Sequence, residues 1–377
     1  MTKESEVSAR PPVEMRRKRR PPTVEIVASP TYDLLLSLFI VFSNPATHDF
    51  ELDPTWIAKA RAACPPEHLA TLAFFFGDED EAQWGAARLC GLLWQAPDPM
   101  DVSATLDWLA ALPVADIYAI LLERDGLGDD WLDTVRGILA MPAGGSKAKI
   151  EQHTRAISTF ARRFPQGERE AVTHFLTAPE DERRRLITAV RAWYAAVFPA
   201  DEARVSAVIT REAASVAQRQ GTLSVEALFS SAVRGIDLDL PAATERLVLA
   251  PCLLIMPTVF YFRTGETVTY CFPVTDSARV AADSALMQRQ EMVRLFNALA
   301  DDTRLRILKH LSERTMYLTE LSEHLKLTKA TTRHHMVRLR AAGLVTLHQR
   351  DHLSYYSLRR ETLDEPTRTL LRYLNLT

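Results

Sequence analysis

The residues best suited to chemistry are crowded into one short stretch, Lys329-Ala-Thr-Thr-Arg-His-His-Met-Val-Arg338. Cations, hydroxyls and imidazoles at this density suit recognition of a polyanion. At helical spacing Met336 and Leu339 make an apolar stripe, closed by Leu344, and Lys329, Thr332, Arg333 and His334 are left on the outer N-terminal half. An arginine in such a place can offer two N–H donors to O6 and N7 of guanine, worth about 1–3 kcal/mol of discrimination. Arg333 is expected in that role, and His334 beside it. Lys329, Thr331 and Arg338 are expected on phosphates, contacts that position a protein without reading sequence.

Such a helix has to be started, stopped and backed. Thr328 stands where an N-cap hydroxyl belongs, and Gly343 where the chain must turn left-handed. The span between them is about 14 residues, roughly 21 Å at 1.5 Å per residue. Upstream, Asp301 or Asp302 caps a helix carrying Leu305, Ile307, Leu308 and Leu311, with Arg304 and Arg306 pointing elsewhere. Leu318, Leu321 and Leu325 pack a second helix onto it, and Lys326-Leu327 makes the turn. Downstream, Leu344 to Leu358 alternates on either side of Arg350-Asp351, a hairpin wing with Arg350 and His352 near its tip. This is the layout of a winged helix-turn-helix, whose third helix enters a DNA major groove. A helix over 281–300 leads into it, and one over 362–374 closes it. Leu363, Leu370, Leu371 and Leu374 form a stripe on the closing helix that a lone module has little area to cover, so a second copy is the expected partner.

This stretch resembles the ArsR/SmtB family of bacterial transcriptional repressors. The likeness runs through Leu299-Ala-Asp-Asp-Thr-Arg-Leu-Arg-Ile-Leu308, Glu320-Leu-Ser-Glu-His-Leu325, His335, Leu339-Arg-Ala-Ala-Gly-Leu-Val345 and Tyr355-Tyr-Ser-Leu358. The resemblance implies a homodimer on a palindromic operator in double-stranded DNA, with the first and last helices of the module at the interface. It also implies release from DNA when an effector binds. Metal-sensing members carry a Cys pair on the helix that here reads Leu318-Thr-Glu-Leu-Ser-Glu-His-Leu325, or Asp and His ligands on the last helix. Neither pattern is present, so no metal and no cofactor are expected. His310, His324, His334, His335, His348 and His352 are expected in surface, DNA-facing or capping use, and His334 and His335 point about 100° apart on a helix. Some members carry a large N-terminal extension opening S-P-x-Y-x-L-L-x-S-L, as Ser29 to Leu38 does here.

Charge divides the chain along the same line. The net charge of −3 hides 14 Lys/Arg against 7 Asp/Glu over Leu286 to Arg360, 7 against 3 over residues 1–20, and 2 against 3 over residues 361–377. By difference residues 21–285 carry roughly −13, an acidic body ahead of a basic module. The Pro-rich start, with Arg16-Arg17-Lys18-Arg19-Arg20, reads as a solvated tail or a weak phosphate contact. Beyond it Val24 to Val27 reads as a strand, and Ser29-Pro30 launches a helix through Phe42. Helical patterns follow over Asp53–Ala63, Pro65–Phe76, Val102–Leu112, Val114–Arg124, Asp130–Leu139, Glu180–Phe198 and Glu202–Gln220. Arg246–Ala250 reads as a strand, and Val259–Phe262 with Thr267–Phe272 as a hairpin around Gly265. The expected class is mainly α (α+β): a basic tail over 1–22, a helical body with a small sheet over 23–283, and the winged module over 284–377.

Several classes find no support. Cys64, Cys90, Cys252 and Cys271 show no C-x-x-C spacing, which suits buried thiols in a reducing cytoplasm. The apolar run Leu34 to Phe42 falls well short of the roughly 20 residues that span a bilayer. A soluble, cytoplasmic, nucleoid-associated protein with no membrane contact is expected. No P-loop, G-x-G-x-x-G, H-E-x-x-H or G-x-S-x-G occurs, and Asp78-Glu-Asp-Glu81 and Asp129-Asp130 read as solvated helix starts, so no enzyme is expected. Trp56, Trp84, Trp94, Trp108, Trp131 and Trp193 all lie in the body, as core or as the wall of a pocket for a small apolar or planar effector. The leading expectation is a dimeric, sequence-specific DNA-binding repressor. The alternatives are a winged helix used for protein interaction and an enzyme fused to a DNA reader.

Overall fold

The computed structural model describes residues 21–43, 54–77, 85–123, 127, 130–141, 144–233, 236, 238, 240–241, 243–256, 258–275, 278, 292–293, 295–350, 353–360, 363–374 and 376. The architecture is mainly α with two small sheets, the class expected from the sequence.

The body is built around one helix. β1 (Thr23–Ile26) leads to α1 (Pro30–Phe42), which is apolar on every side and buried from Pro30 to Val41. Apolar all round is the pattern of a helix enclosed by others. Several of its polar groups are hydrogen-bonded, whereas Thr31 Oγ1 and Tyr32 OH are buried without a hydrogen-bond partner. Ser29 caps it, accepting from Thr31 N–H at 3.3 Å. Ser37 donates to the Leu34 carbonyl at 2.7 Å and accepts from the Trp193 indole at 3.3 Å. Asp33, fully buried, accepts from the backbone N–H groups of Leu253 at 2.8 Å and Leu254 at 2.7 Å. No single helix among the described residues is long and apolar enough to cross a membrane.

The layers around α1 come from α2 (Pro54–Ala63), α3 (Pro66–Phe76), α4 (Val102–Ala111), α5 (Val114–Leu121), α6 (Trp131–Ala140), α7 (Lys147–Ala161), α8 (Arg169–Thr177), α9 (Pro179–Val197), α10 (Pro199–Gln220) and α11 (Val225–Ala232). The sequence did not predict α7, α8 or α11. α7 has few apolar residues, with only His153, Ile157, Phe160 and Ala161 buried, so its apolar rhythm is faint. Trp193 is fully buried, Trp56, Trp94, Trp108 and Trp131 are half-buried, and Trp84 lies outside the described residues, as do Asp78 to Glu81 and Asp129.

One sheet closes the body. Its order is β1-β2-β4-β3, with β2 (Arg246–Cys252), β3 (Phe260–Thr264) and β4 (Thr267–Pro273). β1–β2 and β2–β4 are parallel, whereas β3–β4 is the expected antiparallel hairpin, turned at Gly265 with φ +58°. The four cysteines are free and buried. Folding draws three of them together: burial, reinforced by the neighbouring Cys252 and Cys90, raises the Cys271 thiol, and burial pushes the Cys252 thiol up to about 12.

The C-terminal module holds α12 (Asp302–Glu313), β5 (Met316–Tyr317), α13 (Leu318–Leu325), α14 (Lys329–Ala341), β6 (Val345–Arg350), β7 (Leu353–Leu358) and α15 (Glu365–Tyr373). Of the expected helix over 281–300, residues 281–291 lie outside the described residues, and 295–299 are helical. The sheet order is β5-β7-β6, so the wing has a third strand that the sequence did not predict. At two residues, β5 is too short to show alternation. Body and module share one apolar cluster, in which Val216, Phe229, Leu247 and Tyr270 meet Leu295, Ile307, Leu347 and Tyr356. Ile236 also forms a parallel bridge with Leu347 on β6, the edge strand of the wing.

Candidate nucleic-acid interface

The module is assembled by its caps. Asp301 caps α12, accepting from Arg304 N–H at 2.9 Å, and Ile307, Leu308 and Leu311 are buried beneath it. Two expectations for this helix fail. Leu305 is 49% exposed, and Arg304 is buried, donating from Nε to the Ala298 carbonyl and from Nη2 to the Asn297 carbonyl, each at 2.7 Å. The inner stripe is 304, 307, 308 and 311, a regular i, i+3, i+4, i+7 series that begins on a charged residue. Its guanidinium satisfies the carbonyls of the preceding turn, which is why a cation can sit there.

α13 starts at Tyr317, whose N–H donates to Glu320 Oε2 at 2.7 Å. That bond and the Arg314 guanidinium, 2.9 Å away, hold the Glu320 carboxyl below its ordinary range. Leu321 and Leu325 back the helix, and Lys326 ends it in the left-handed region at φ +57°. The Leu327 N–H then reaches the Ser322 carbonyl at 3.0 Å, closing the helix end and swinging the chain into α14. Lys326-Leu327 is therefore the turn, as the sequence predicts.

α14 begins and ends where expected. Thr328 Oγ1 accepts from Thr331 N–H at 3.1 Å, and Gly343 turns left-handed at φ +72°. Met336, Leu339 and Leu344 are buried. Lys329, Thr331, Arg333, His334 and Arg338 are exposed. Thr332 is not: it is fully buried, with Oγ1 donating to the Thr328 carbonyl at 3.0 Å. Residues 332, 336 and 339 form one stripe, so Thr332 belongs to the inner side, and a base edge cannot reach it. His335 is half-buried and stands opposite Asp301, with Nδ1 to Oδ1 at 3.6 Å. Neither inward residue was assigned there from sequence, although the period of the stripe carried that information.

The wing pairs β6 with β7 from Val345↔Leu358 to Arg350↔Leu353. His352 and the Arg350 side chain lie outside the described residues. His348 stacks on Tyr355 at 4.9 Å and meets Ser357 Oγ at 2.6 Å, which fixes the base of the hairpin. Other module cations are occupied structurally: Arg314 pairs with Glu320, and Arg360 donates to the Ser312 carbonyl at 2.8 Å. No group of three His, Cys, Asp or Glu among the described residues is arranged to hold a metal ion.

At the far end, α15 starts later than expected. Leu363 sits in the turn before it, with N–H bonded to the Arg360 carbonyl at 3.2 Å, because Pro366 favours the first turn of a helix. Leu363 and Leu374 are 43% and 50% exposed, and Leu370 and Leu371 are half-buried.

Comparison with known proteins points the same way as this geometry. Residues 301–346 match the helix-turn-helix family described as bacterial regulatory protein, arsR family. The transcriptional repressor SdpR of Bacillus subtilis (strain 168) is 30% identical over 84 residues, which are 22% of this chain and 93% of that protein. No solved structure matches the chain. With an exposed basic helix on a winged scaffold and a relative matched over nearly its whole length, the chain belongs to the arsR family of bacterial regulatory proteins, through its C-terminal module.

Proposed function

We propose that this DNA-binding regulator is a sequence-specific repressor, a homodimer on a palindromic operator, released when an effector or partner acts on its body. One observation carries the reading: Lys329, Thr331, Arg333, His334 and Arg338 stand exposed on α14, while the body touches the module at the wing and the inner cluster instead. Arg333 and His334 read base edges, and Lys329, Thr331 and Arg338 lie on phosphates. Arg350 and His352 extend the contact from the wing. The chain divides into a tail over 1–22, a sensing body over 23–283 and the DNA-binding and dimerisation module over 284–377, and it works in the bacterial cytoplasm.

The second copy is supported by apolar side chains exposed at both ends of the module. Val293, Phe296 and Leu305 are 47%, 39% and 49% exposed, and Leu363, Tyr373 and Leu374 add a further group. Leu363 and Leu374, with the half-buried Leu370 and Leu371, form the interface. A small apolar or planar effector would meet the half-buried Trp56, Trp94, Trp108 and Trp131 of the body.

The test is repeated selection of duplexes from a random-sequence library, followed by anisotropy titrations at several salt concentrations. With roughly 6–8 phosphates neutralised per dimer, log K falls by about 0.9 per phosphate per log unit of salt. Arg333→Ala relaxes preference at one base position. Lys329→Ala weakens all sequences alike and lowers the salt slope by about 1. Failure to enrich any duplex would leave a protein-interaction winged helix as the better account.

A further inference from the structure

Among the described residues of the module, one buried side-chain polar atom lacks a hydrogen-bond partner: Nδ1 of His335. The ring is 13% exposed and faces Asp301 Oδ1 across 3.6 Å, where the start of α12 meets the recognition helix α14. That is too long for a hydrogen bond, and a movement of roughly 0.6 Å would make one. The carboxylate opposite is firmly held. Asp301 caps α12 through Arg304 N–H and lies 3.7 Å from Arg304 Nη1, and Arg304 is itself bonded to the Asn297 and Ala298 carbonyls. A rigid acceptor therefore stands just short of a donor on the one helix that must seat against DNA. An unmade bond to a buried polar atom disfavours the state that contains it.

We propose that His335 is a positioning residue whose Nδ1 closes onto Asp301 when α14 seats on DNA, locking the recognition helix to the start of α12. The proposal rests on the DNA reading of α14 given above. It has a protonic consequence. The charged groups facing the ring are Asp301 and Arg304 from the α12 side and His334 and Arg338 from its own helix. Burial holds the free imidazole below its ordinary range, Asp301 opposes that, and Arg304, His334 and Arg338 add to the depression. Closing on Asp301 strengthens the one attraction for a proton. The pKa rises on binding, so binding takes up protons and tightens as pH falls through the histidine range. A rise of about one pH unit corresponds to about tenfold tighter binding of the protonated protein.

The experiment is an NMR titration of the His335 ring in the full chain, free and bound to a duplex recovered by selection, with the signal assigned by its loss in H335Q. The expected result is a pKa that rises on binding in the wild type and not in D301N, whose amide oxygen still caps α12. An unchanged His335 in a bound complex overturns the proposal, and so does a rise that persists in D301N, because phosphate alone then accounts for it. Should D301N not fold, the affinity profile over about pH 5–7 decides. The profile flattens in H335Q and is retained in H334Q, and equal profiles in wild type and H335Q overturn the proposal. If no duplex binds at all, the DNA reading fails and this inference with it, an outcome distinct from a duplex that binds and leaves His335 unmoved.

Discussion

Two helices of this protein, α1 and α14, are each 13 residues long and each start on a hydroxyl cap, Ser29 in one and Thr328 in the other. They are put to opposite uses. α1 is apolar around its whole circumference and buried from its first residue almost to its last, so that even Asp33 serves only to hold the backbone at Leu253 and Leu254. α14 buries one stripe, Thr332, Met336 and Leu339, and presents Lys329, Arg333 and Arg338 outside. Equal length and equal capping show that what a helix does is set by how many of its sides are apolar.

The largest test of that contrast is in the cores. Leu35→Ala in α1 and Leu339→Ala in α14 are both fully buried truncations, each expected to cost about 2–5 kcal/mol in thermal or denaturant unfolding. A cost near zero at Leu339 would mean that α14 has no true inner side. Outward positions should separate the helices completely. Lys329→Ala and Arg333→Ala should leave stability within about 0.5 kcal/mol of wild type while weakening duplex binding, since exposed side chains away from a core contribute little to folding. α1 offers no counterpart to this experiment, having no exposed residue through Val41.

Capping is a smaller effect. Thr328→Ala should cost about 1 kcal/mol, because the Thr331 N–H loses its acceptor, and Thr328→Ser should restore the loss. The last effect is the response to pH, which should differ in sign between the regions. His335, Asp301 and Glu320 all have folded pKa values below their ordinary ones. For the imidazole the unfolded chain takes up the proton first, so its contribution is full above about pH 6.5 and is lost as pH falls toward the folded value. The two carboxylates follow in more acid solution. Around α1 the shifts are upward: burial, reinforced by Cys271, Cys90 and Cys252, raises Tyr32, and burial raises Cys252 to about 12. That stabilisation is complete below the ordinary thiol and phenol ranges and is lost as pH rises through them. Hydrogen exchange should therefore show α14 opening first in acid and α1 first in alkali. The same order at both extremes would break the comparison.

Much of the module could be read in advance because its signals are local. A cap at Thr328, a left-handed glycine at Gly343 and a turn at Lys326-Leu327 depend on a few neighbouring residues. The errors share a cause. Arg304 and Thr332 are polar, which favours the outside, yet both fall on the periodic stripe of their helix and are buried, whereas apolar Leu305 falls off it and is exposed. Residue type outweighed spacing in those expectations, and spacing was correct. In the body the strands at Val24 and Arg246 are both legible, but their parallel pairing is not, since nothing local marks a pairing between distant segments.

The sequence by itself determined the helices with strong caps and periods, the winged module and its family likeness, the hairpin at Gly265 and the concentration of positive charge on α14. These depend on interactions within a few residues, which the order of residues states directly. Only the tertiary structure decided that Asp33 reaches across to Leu253, that Cys90, Cys252 and Cys271 meet, that Ile236 joins the edge of the wing, and that His335 stops 3.6 Å from Asp301. Such contacts arise from competition among all the buried surfaces at once, and no local stretch of chain carries that information.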